Sequence, residues 1–99
     1  MSARSTQIQP VGSGAALTTA SSQAIGPNPS RRGLILHNPH ATISIYVAPA
    51  NVTTAPGGAG WLLIFPGGDR MFDGLPATCA WNAAMASSTG NISTLEWVA

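Results

Sequence analysis

The chain has 99 residues, enough for one domain, with only 7% charged residues, no lysine and a net charge of +1. Ordinary soluble domains carry roughly 25% charged residues. The balance gives no electrostatic footprint for nucleic acid, the single cysteine excludes an intrachain disulfide or a cysteine metal cluster, and no apolar run approaches the ~18 residues of a membrane span.

Residues 1–28 are rich in Ser, Thr, Gln, Ala and Gly. They read as a flexible or extended N-terminal arm with at most one short strand, near residues 16–25. "GPNPS" ends that section as turn chemistry. From residue 29 to 99 short β runs alternate with Gly, Pro and Asn punctuation. "GLILH" is the first run, and "HNPH" breaks it, because Pro39 removes a donor and biases Asn38 to extended or turn geometry. "TISIYV" places Ile43, Ile45 and Val47 on one face, with Ser44 and Tyr46 on the other. "APANVTTAPGGAG" is a long loop. "WLLIF" is apolar on both faces, so it reads as a central strand or one covered by a neighbouring subunit. "PGGD" is a tight turn, "RMF" a short run and "DGLPAT" another turn. "CAWNAAM" alternates Cys79, Trp81, Ala83 and Met85 against Ala80, Asn82 and Ala84, which favours a strand over a helix. "ISTLEWV" closes the chain, with Leu95 and Trp97 opposite Thr94 and Glu96. The pattern predicts an all-β fold: a small antiparallel β-sandwich or jelly-roll-like barrel.

Candidate chemistry is sparse. His37 and His40 supply two metal ligands at most, where a site needs three or four, so they read as a strand end and a polar turn residue. Cys79 sits at an alternating strand position and reads as a small buried hydrophobe. "PGGAG" and "PGGD" lack the lysine and the strand–helix context of a phosphate loop. Asp69 and Asp73 read as turn caps. No catalytic residue, metal or cofactor is expected. The tryptophans Trp61, Trp81 and Trp97 read mostly as core, with one or two left to fill a subunit interface. Arg31, Arg32 and Arg70, with Trp61, are the candidate partner contacts. Arginine's planar fork suits acidic groups on a partner.

The segments "SRRGLILHNPHATISIYV", "GWLLIFPGGDRMFDG" and "ATCAWNAAMASSTGNISTLEW" together resemble small all-β virion structural proteins of tailed bacteriophages, over residues 29–98. The resemblance lies in strands and turns, not in a catalytic signature. It implies a non-enzymatic capsid decoration or cement protein, on the virion exterior after assembly in a bacterial cytoplasm. Its implied partners are the major capsid protein and itself, as a homo-oligomer of the trimeric kind. A tail or head-fibre module binding a host receptor or glycan, through Trp61, Tyr46 and the 48–60 loop, is the alternative. Neither reading involves direct nucleic-acid or membrane contact.

Overall fold

The structure, a computed structural model, describes residues 9–98. Sheet I contains β1 (Gln9–Leu17), β3 (Arg31–His37), β6 (Asp69–Asp73) and β8 (Gly90–Val98), in the order β1-β8-β3-β6. Sheet II contains β2 (Ser22–Ile25), β4 (Ile45–Pro49), β5 (Leu62–Ile64) and β7 (Trp81–Met85), in the order β2-β7-β4-β5. All the pairings are antiparallel, and the protein is all-β, as its alternation and turn spacing predict. A single helical turn, α1 (Leu75–Thr78), joins β6 to β7.

The chain changes sheet at every connection except β4–β5. That is why Gly and Pro punctuate it so densely, since each crossing needs a sharp corner. At the β5–β6 crossing Gly67 takes a φ of 75°, a left-handed conformation that glycine adopts without steric cost.

The core lies between the sheets. Leu17, Leu34, Leu36 and Ile92 face inward from sheet I, and Ile45, Val47, Ile64, Trp81, Ala83 and Met85 from sheet II. Burying one such large aliphatic side chain contributes about 1.5–3 kcal/mol. Phe72 on β6 stacks on Trp81 at a centroid distance of 4.1 Å, tying an edge of sheet I to sheet II.

Three expectations change. The segment read as an arm contains two strands: β1 pairs along its whole length with β8, and β2 pairs with β7. A division at residue 28 therefore cuts through both sheets. Its low apolar content reflects edge positions, where one flank faces solvent. Residues 1–8 lie outside the described residues. Second, "WLLIF" is not central. It supplies β5, a three-residue edge strand whose Leu62 is 37% exposed and whose following Phe65 is 67% exposed. Third, "DGLPAT" closes one turn of helix, with Pro76 in its first turn, where a missing N–H carries no penalty.

Candidate functional site

The "HNPH" corner is organised by Asn38, which is fully buried. Its backbone N–H donates to the Gly68 carbonyl at 3.0 Å, and its own carbonyl accepts from Gly67 N–H at 3.0 Å. Its side-chain amide donates to the Ile43 carbonyl at 2.8 Å and to the Ile64 carbonyl at 3.1 Å, while Oδ1 accepts from His40 N–H at 3.0 Å. One side chain thus fastens the β3–β4 corner to the β5–β6 corner. The two histidines serve different neighbours. His37 Nδ1 pairs with Asp69 across the β3–β6 register, and His40 Nε2 lies against the Asn91 backbone, 2.9 Å from its carbonyl oxygen. Among the described residues no three potential metal-ligating side chains gather.

Arg31, expected at a partner contact, is 3% exposed. Its Nε donates to Glu96 Oε1 at 2.9 Å, Nη1 donates to the carbonyls of Ala77 at 2.8 Å and Cys79 at 3.2 Å, and Nη2 donates to that of Gly26 at 2.8 Å. Four of the five N–H donors of this guanidinium are thus used inside the fold, and its burial keeps it from reaching outward. Arg32 is exposed. The β3–β8 register shifts between Arg31 and Gly33. With Arg31 turned inward, this bulge leaves Arg32 beside Gly33 on the solvent side. Arg70 is exposed, yet its Nη2 donates to the Leu63 carbonyl at 2.9 Å. It reaches from the edge of sheet I to the edge of sheet II and shields β5, as charged side chains on edges do.

Trp61 is half-buried, and its Nε1 donates to the Thr54 carbonyl at 3.1 Å within the loop. Gly57 of the same loop stands against the Tyr46 ring, at a spacing where an added Cβ would touch the ring at 3.4 Å. The loop therefore lies back over the outer face of sheet II, and both aromatics are engaged by it. Ala48 and Ala84, which the register places on that outer face, are fully buried.

Cys79 departs from the expectation of burial. It is exposed, at the C-cap of α1 rather than within β7. It rims an apolar groove of about 480 Å³ lined by Pro49, Phe72, Leu75 and Trp81.

The outer face of sheet I is different from that of sheet II. The register sets Met71, Ile35, Leu95 and Gly12 side by side in one row across the four strands. The next row carries Asp73, Gly33, Trp97 and Pro10, and the row on the other side carries Asp69, His37, Ser93 and Gly14. Met71 is 71% exposed, and Ile35, Leu95 and Trp97 are half-buried. The Trp97 ring lies over Gly33, where an added Cβ would come within 3.1 Å of Cε3. Strand β8 thus turns its apolar side, Leu95 and Trp97, outward. Its inward side carries Ile92, Thr94 and Glu96. The alternation of β8 is legible in the sequence, but Trp97 reads there mostly as core. The signal that could have found this face is the Thr94/Glu96 pairing with an arginine upstream.

Comparison with protein-family models gives no match, and comparison with curated proteins gives none. Among solved structures, a chain from "Bacillus endospore appendages form a novel family of disulfide-linked pili" is similar at a TM-score of 0.44 and 12% identity, covering 93% of this chain and 89% of that one. A likeness this distant carries no functional argument.

Proposed function

We propose that the chain is a non-enzymatic structural protein of a bacteriophage virion, which decorates the assembled capsid shell. The observation that supports this reading is the unequal finish of the two sheets. At sheet II the chain's own loop lies against Tyr46, whereas among the described residues sheet I sets the exposed Met71 beside the half-buried Ile35, Leu95 and Trp97 on its outer face. Contiguous apolar surface marks contact with other macromolecules. The scarcity of charge agrees with this, because interface cores are depleted of charged residues.

The mechanism is added contact. A protein that binds only the assembled shell stabilises that state by mass action, against the pressure of packaged DNA. Among the described residues Arg32 is exposed, and its planar fork suits acidic groups on the capsid subunit.

The test is sedimentation of the purified protein with assembled shells and, separately, with unassembled major capsid protein. Saturable binding of many copies to shells, with raised resistance of the shells to heat, is expected. No binding to shells would overturn the reading.

A further inference from the structure

We propose that the outer face of sheet I pairs with the same face of a second copy of this chain, about a two-fold axis running along the strands between β3 and β8. The inference rests on the assembly reading above for its setting and names the partner of that face.

The argument is one of self-complementarity. An isologous contact presents the same patch twice, so each row of side chains must fit its own reversal. The row Met71, Ile35, Leu95, Gly12 does so. Reversed, it sets Met71, the most exposed side chain of the row, over Gly12. An added Cβ at Gly12 would meet nothing within 4 Å, so the large residue faces an open place. Ile35 then meets Leu95, and the contact repeats symmetrically on the other side of the axis. Face-to-face sheets pack about 10 Å apart with their inner side chains interleaved, which is the geometry these alternating heights allow.

Charge agrees with shape. In the reversed rows Asp69 falls over Gly14 and Asp73 over Pro10, while His37 falls over Ser93. No carboxylate meets a carboxylate. A chain with so few charges also offers little electrostatic resistance to bringing two copies together.

The test uses the full chain in analytical ultracentrifugation over a concentration series. A monomer–dimer equilibrium is expected. Met71→Glu, at a position too exposed to disturb folding, is expected to raise the dissociation constant at least about tenfold, and Leu95→Glu to do the same with an unchanged far-ultraviolet spectrum. In a second experiment, Ile35→Cys and Leu95→Cys chains, each also carrying Cys79→Ser, are mixed and treated with a short bismaleimide. Cross-linked pairs containing one of each are expected. A monomer at all concentrations, a trimer, or a dimer indifferent to Met71→Glu would overturn the proposal. Dimerisation without shell binding would remove the virion reading and leave this pairing intact. Shell binding by a monomer would do the reverse.

Discussion

Arg31 and Glu96 form an ion pair inside the sandwich, Nε to Oε1 at 2.9 Å, with side-chain exposures of 2% and 13%. Three more of its N–H groups hold the carbonyls of Gly26, Ala77 and Cys79, so one residue joins β3, β8, α1 and the β2–β3 connection. Removing one partner of such a pair leaves an uncompensated charge, at a cost of about 3–5 kcal/mol. Arg31→Met is therefore expected to lower the unfolding free energy by about 3 kcal/mol, measured by urea denaturation. Glu96→Gln retains the shape and one acceptor, and is expected to cost less than Arg31→Met. Equal and negligible effects would show that the pair is dispensable.

Two residues along the same strand the sign reverses. Thr94 is 4% exposed and its hydroxyl has no hydrogen-bond partner. Valine has nearly the same shape and no group to desolvate. Thr94→Val is expected to stabilise the fold by about 1 kcal/mol, seen as a higher urea midpoint at unchanged slope. A lower midpoint would mean that the hydroxyl has a partner in solution.

Asn38 joins two corners through three side-chain hydrogen bonds. Truncation to alanine leaves buried backbone groups unpaired, each at about 1–3 kcal/mol. Asn38→Ala is expected to destabilise by about 3 kcal/mol or more. Substitution of the neighbouring exposed Pro39 by alanine is expected to stay within about 1 kcal/mol. Thermal unfolding of the two variants side by side checks the contrast.

Gly90 is the counterpart of this corner on β8. A Cβ there would stand 2.5 Å from His40 Nε2 and 2.8 Å from Met85 Cε. Gly90→Ala is expected to displace the His40 ring from the Asn91 backbone and lower stability. Recovery in the double variant with His40→Ala, read from denaturant midpoints, would identify the ring as the cause.

The exposure of Cys79 predicts fast modification by a maleimide in the native state, at a rate close to that in denaturant. Slow native labelling would place the thiol inside.

Much of the architecture was legible in the sequence, because period-2 alternation in "TISIYV" and "CAWNAAM" and the Gly/Pro corners are local signals. Ile45 and Val47 do face inward, and Trp81, Ala83 and Met85 line the core. What local pattern does not carry is which strand lies at an edge. "WLLIF" is apolar enough for a centre but stands at the rim, and the polar residues 9–17 join a sheet all the same. Nor does it tell which side of an alternating strand faces in. In β8 a polar side is turned inward because Arg31, 65 residues upstream, meets Glu96 there. The same long-range pairing moved Arg31 from the candidate surface to the interior, and the outer face of sheet I followed from it.

Asn38 has a chemical consequence as well as a mechanical one. Asparagine usually ages when the backbone nitrogen of the next residue closes onto its side-chain amide. Here that nitrogen belongs to Pro39 and carries no proton, and the amide is held between the Ile43 and Ile64 carbonyls. The residue that secures both corners is thus shielded from the commonest route of asparagine deamidation.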